Sequence, residues 1–134
     1  MATFSVSASE LKYASGSSWS SGKARQGVYS TTRYEGAIRF SGIANYDFSN
    51  MEISQIKMKV TFARAGGSSN KYLTFYKAAK NAISGSISSM RGASIGSVYV
   101  TDAYDATRTI TFNSSTNSGI YNTLKSYFSS GNQT

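Results

Sequence analysis

The stretch Ile56–Phe62 constrains the fold more than any other part of the chain. Ile56, Met58, Val60 and Phe62 alternate with Lys57, Lys59 and Thr61. A period of two over this length is the signature of a strand with one buried and one wet face. Wound as a helix at 100° per residue, the same apolar side chains would scatter around the cylinder and bury little. Lys71–Lys77 (KYLTFYK) follows after Gly66-Gly67-Ser68-Ser69-Asn70 and also reads as a strand, with Tyr72 and Tyr76 facing opposite to Leu73 and Phe75. Gly and Asn tolerate the positive φ of tight turns, so the two strands are expected to form a hairpin.

The rest of the chain repeats this style. Thr3–Ala8 sets Phe4, Val6 and Ala8 against hydroxyls and reads as a first strand, with Leu11 and Tyr13 extending it past a break. Ser15–Gly22 is a Ser/Gly loop carrying the lone Trp19. Strands are expected at Gly27–Thr32, Tyr34–Phe40, Ser97–Thr101 and Thr107–Asn113. Ile43–Asn50 is a connection whose Ile43 and Phe48 tuck onto the core. Ala78–Ala82 reads as one helical turn or a bulged strand end, and Ser84–Gly96 as mostly loop. Near the end the period changes. Ile120, Leu124, Tyr127 and Phe128 recur at helical spacing, with Thr116, Asn117 or Ser118 to cap the start and Gly131 suited to the end. The expected architecture is all-β: one domain over residues 1–134, a jelly-roll-like antiparallel β-sandwich with a short amphipathic helix at about 120–129.

Composition narrows the chemistry. The 134 residues include neither Cys nor His, which removes disulfides, thiolate metal sites and the usual general base. With no His a conventional Ser triad cannot be built. Of the six carboxylates, Asp102 and Asp105 lie close together around Tyr104. Glycoside hydrolysis needs two carboxyl groups about 5–9 Å apart. Turn-forming aspartates explain this pair better, since Asp caps its own backbone. They are also the only weak candidates for a calcium site, and they supply too few ligands. Gly66-Gly67 lacks the spacing and the Lys-Ser/Thr of a phosphate loop. These residues point away from an enzyme, and no cofactor is expected.

Binding is the more natural use of this surface. The net charge of +8 suits a polyanion, although no adjacent run of basic residues occurs and a solvated basic surface is the plainer reading of the charge. Ten Tyr and one Trp offer faces for sugar rings. Trp19, Tyr13, Tyr29, Tyr34 and Tyr46 lie in or beside loops, and Tyr72 sits next to Lys71. The ligand candidates are Trp19, Tyr13, Tyr34, Tyr72 and Lys71, with a core or rim role as the plainer reading of each. Basic residues beside Tyr, as in Lys71-Tyr72 and Arg33-Tyr34, would also serve single-stranded nucleic acid, a less favoured partner. No stretch approaches the roughly 18 apolar residues of a membrane helix. The N-terminus lacks the basic and apolar regions of a signal peptide, so the chain is expected to be made in a cytoplasm.

Gly36–Ile43 (GAIRFSGI), Ile53–Val60 (ISQIKMKV) and Leu73–Tyr76 (LTFY) resemble successive strand motifs of the DNRLRE-type domain, and Ile120–Phe128 resembles its late helical turn. That family is a carbohydrate-binding-module-like β-sandwich of bacterial surface proteins and phage structural proteins. The resemblance implies a non-enzymatic virion component at a tail, fibre or capsid surface, made in the host cytoplasm and working outside it. Its implied partners are copies of itself, neighbouring virion proteins and host glycans. The family places one or two strands after the helix, where this sequence stops at Thr134. The resemblance therefore implies a fragment, or an unfilled strand position that another chain completes. A carbohydrate-binding module of a bacterial surface protein is the alternative, and a basic nucleic-acid-associated protein the third reading.

Overall fold

The computed structural model describes residues 3–48, 50–63 and 69–134, apart from the side chain of Tyr29. The chain is all-β, with antiparallel strands and one long helix near its C-terminus. Strands β1 (Glu10–Ala14), β2 (Trp19–Ser21), β3 (Gly27–Tyr29) and β4 (Thr32–Arg39) form a four-stranded sheet in the order β2-β1-β4-β3. Strands β5 (Ile56–Thr61), β6 (Lys71–Ala78), β7 (Arg91–Val100) and β8 (Thr107–Phe112) form two ribbons, β5 with β8 and β6 with β7. This nested pairing is that of a folded-over ribbon, as in jelly rolls and related sandwiches.

The expected hairpin of β5 and β6 is therefore replaced. Ile56 lies opposite Phe112 and Thr61 opposite Thr107, while Lys71 lies opposite Val100. Each strand exchanged its sequence neighbour for the partner that lets its apolar face join a shared core. The Gly66-Gly67 turn itself lies outside the described residues.

That core is built from the inward rows of both ribbons. Val98 and Val100 of β7, Ile110 and Phe112 of β8, and Ala103 are buried, and Met58, Val60, Leu73 and Phe75 pack against them. Phe75 meets Phe112 edge to face at 6.3 Å. Helix α2 (Ser118–Ser130) closes the core with Ile120 and Tyr121, and Leu124 packs against it; Tyr127 is also buried. It ends at Gly131 in the left-handed conformation, as a C-terminal glycine favours. Its start departs from expectation. Asn117 holds the N-cap position, yet its amide donates to the Thr111 carbonyl at 3.1 Å instead of capping the helix.

Three further expectations are corrected. Residues 3–8 form no strand; the first ladder bond is Ser9 N–H to Arg39 O. Their alternation places Phe4 against Tyr46 and Phe48, at 5.2 and 5.6 Å. Trp19 begins a short strand rather than sitting in a loop. The stretch 84–96 holds a one-turn helix α1 (Ile87–Met90), capped by Ser86, and the first half of β7. Ser and Gly are poor strand formers, but pairing with β6 overrides local preference. At Ala78 the structure selects the bulged strand end. Ile43 falls in a 3-10 turn, Ser41–Asn45, and Phe48 packs on Phe128 at 4.7 Å.

The four-stranded sheet is tied to the ribbons by polar links. Residues 24–25 lie directly over Gly36, where a Cβ would meet Ala24 Cβ at 2.8 Å. Gln26 reaches from there to the edge of β6. At the other end, Phe40 N–H donates to Gln133 O at 2.7 Å, and Gln133 N–H donates to Asn81 Oδ1 at 2.9 Å.

Candidate functional site

The outward face of β6–β7 carries the most exposed aromatic cluster among the described residues. Tyr72 lies opposite Tyr99, Thr74 opposite Ser97 and Tyr76 opposite Ser94. The Tyr72 and Tyr99 rings pack 4.8 Å apart at 44°, with 67 % and 51 % of their surfaces exposed. The Thr74 and Ser97 hydroxyls bond to each other at 3.0 Å. Tyr76, 41 % exposed, lies about 13 Å along the strand from Tyr72 and has the Arg91 guanidinium 5.5 Å over its ring. Alternation along β6 produces this face, because Leu73 and Phe75 turn inward.

The predicted ligand residues separate into different places. Lys71 belongs to the opposite parity from Tyr72, and its Nζ lies 5.1 Å from the Tyr104 ring. Tyr13 and Tyr34 meet edge to face at 5.9 Å on the four-stranded sheet. Arg25 covers both rings, at 4.4 and 5.4 Å, so much of their faces is already engaged. Trp19 is half-buried and its Nε1–H donates to Gly85 O at 2.8 Å, which ties β2 to the segment before α1. Of the five, only Tyr72 lies on the exposed tyrosine face. Tyr99 was missed as a site residue, although the alternation of SVYVT puts it opposite Val98 and Val100. The Tyr29 ring lies outside the described residues.

Asp102 and Asp105 sit in the β7–β8 connection with left-handed backbones, φ 50° and 47°. Short polar residues adopt this conformation readily in turns. Among the described residues no group of three or more acidic, His or Cys side chains gathers as a metal site. No helix among them is long and apolar enough to cross a membrane.

Between β7 and β8 runs an open groove of about 380 Å³, lined by residues 98–101, residues 108–111 and the start of α2. These two strands are neighbours in sequence but do not pair, so each turns an edge to the groove. Tyr72 O and Thr74 N bond to Gln26, on the side of β6 away from β7. By antiparallel geometry their partners Tyr99 and Ser97 then aim N–H and C=O away from β6. Arg108 spans one end of the groove. It donates to the carbonyls of Asp102, Thr107 and Thr101 at 2.8, 3.1 and 3.4 Å.

Compared with protein-family models, with curated proteins and with solved structures, the chain matches none.

Proposed function

We propose that this chain is a non-enzymatic structural and adhesion component of a phage particle, at its tail, fibre or capsid surface. It associates with copies of itself or with a neighbouring virion chain, and it touches host glycans. The exposed Tyr72–Tyr99 pair carries this reading. Two tyrosines packed on each other in water keep apolar area exposed, with phenol hydroxyls beside it. A sugar, apolar on one ring face and hydroxylated at its edge, satisfies both kinds of group. The Thr74–Ser97 hydroxyl row between Tyr72 and Tyr76 supplies further donors and acceptors. Among the described residues the groove-side edges of β7 and β8 pair with no strand, which supports the assembly part, since such an edge accepts an added strand.

The same tyrosine face would serve a carbohydrate-binding module of a bacterial surface protein. Nucleic acid is the weaker reading, because the basic residues beside these tyrosines are explained as well by surface pairs.

A glycan array read with the wild type and with Tyr72→Ala/Tyr99→Ala tests the adhesion part. The expected result is binding in the first and loss in the second; a flat array with the wild type removes it. Light scattering across concentrations tests the assembly part. A defined oligomer or filament supports a particle component, whereas a stable monomer at every concentration favours the bacterial module.

A further inference from the structure

We infer that the ligand of this surface is an acidic polysaccharide, lying across β8 with its charged groups on Lys57 and Lys59 and its sugar rings toward Tyr99. This rests on the glycan reading above and adds the chemical class and the path.

The charges of this chain are segregated. Glu10 pairs with Lys12 and Arg39, and Glu35 with Arg33 and Arg91. Both lie on the four-stranded sheet. Strands β5 to β8 contain no Asp or Glu, yet they carry Lys57, Lys59, Lys71, Lys77, Arg91 and Arg108. Arg91 is matched by Glu35 of the four-stranded sheet, and Asp102 and Asp105 lie in the β7–β8 connection, while the β5 strand itself carries only the cations Lys57 and Lys59.

Two of the cations are arranged in a row. Lys57 and Lys59 are both exposed on the outward face of β5, about 7 Å apart. Each lies opposite a hydroxyl, Thr111 and Thr109 respectively. Those threonines also line the groove between β7 and β8. Arg108 lies in the same groove, and three backbone carbonyls hold its guanidinium without neutralising its charge. Tyr99, stacked on Tyr72, forms the opposite rim. A polymer crossing β8 thus meets cations, then hydroxyls, then aromatic rings. An acidic polysaccharide offers the matching order of charge, hydroxyl and ring face.

The test is calorimetric titration of the full chain with polygalacturonate, heparin, neutral dextran and single-stranded DNA, at low and high salt. The variants are Lys57→Gln/Lys59→Gln and Lys23→Gln/Lys80→Gln. Both lower the net charge equally, and circular dichroism checks their folding. Binding to at least one acidic polysaccharide is expected, weakening as salt rises. The first variant loses roughly tenfold in affinity and the second less than about twofold. Equal losses in the two variants would overturn the inference, because net charge alone would then act. So would tighter binding to DNA than to either acidic polysaccharide. Glycan-array binding to neutral sugars without binding to polygalacturonate or heparin sinks the inference and leaves the adhesion reading standing. Binding to no glycan of any kind sinks both.

Discussion

The side-chain amide of Gln26 completes the outer edge of β6 at Tyr72: its Nε2 donates to the Tyr72 carbonyl at 2.8 Å, and its Oε1 accepts the Thr74 N–H at 3.3 Å. One side chain supplies both partners that a neighbouring strand would supply there. Replacing Gln26 with Ala removes them together. Urea denaturation should show a loss of about 1–2 kcal/mol, and light scattering should show more self-association through the uncovered edge. Unchanged values in both would mean that water replaces the amide without cost.

Phe112 is fully buried where the two ribbons meet. Phe112→Ala leaves a cavity bordered by the ring of Phe75, and about 3–5 kcal/mol of stability should go with it. Against a typical total of about 5–15 kcal/mol, that is enough to lower the melting temperature sharply. A thermal melt followed by circular dichroism measures it. A loss below about 1 kcal/mol would mean that the ribbons do not share one core.

Trp19 acts as an anchor, through its hydrogen bond to Gly85 O. Trp19→Phe keeps most of the apolar body and deletes the donor. Stability should fall by roughly 1–2 kcal/mol, while binding to any glycan recognised by the wild type should stay unchanged. Loss of glycan binding in a folded variant would return Trp19 to the ligand surface.

Burial pushes the phenol of Tyr127 above its ordinary pKa, an effect that a hydrogen bond with the backbone of Ala78 partly opposes. Its hydroxyl donates to Thr134 O at 2.8 Å. The folded state therefore holds this proton more firmly than the unfolded state. The associated stability is fully present below the unfolded value of about 10 and is lost as pH rises through the folded value. Tyr127→Phe should cost about 1 kcal/mol near neutrality and flatten the alkaline loss. Unfolding curves from pH 8 to 11 check both effects; an equally steep alkaline loss in the variant would mean that this phenol is not its source.

Strand character and facing were legible where side chains alternate. Met58 and Val60, and likewise Ile110 and Phe112, turned inward as their period requires, and Ile120 and Leu124 marked the helix. Pairing was not legible. The apolar rows of β5 and β6 look the same whether the strands join each other or separate partners. The strand at 91–96 was hidden because Gly92, Ser94 and Gly96 carry no local signal. The two glycines serve close approach instead. A Cβ at Gly96 would lie 3.1 Å from Ile120 Cγ1, and one at Gly92 would run into the Lys77 carbonyl. Residues 3–8 had the converse problem, a strand pattern without a ladder. The candidate site was legible only through Tyr72, because recognising Tyr99 as its neighbour requires the register between β6 and β7.

The nested pairing of the ribbons also sets an order of events in folding. β6 and β7 meet through a moderate loop, but Ile56 must wait for Phe112. Until β8 has left the ribosome, the apolar row of β5 has no partner strand. Closure of so long a loop comes before any contact rewards it, which places this chain among slow, non-local folders. During that wait Lys57 and Lys59 keep the orphan strand charged, and like charges discourage two nascent chains from pairing β5 with β5.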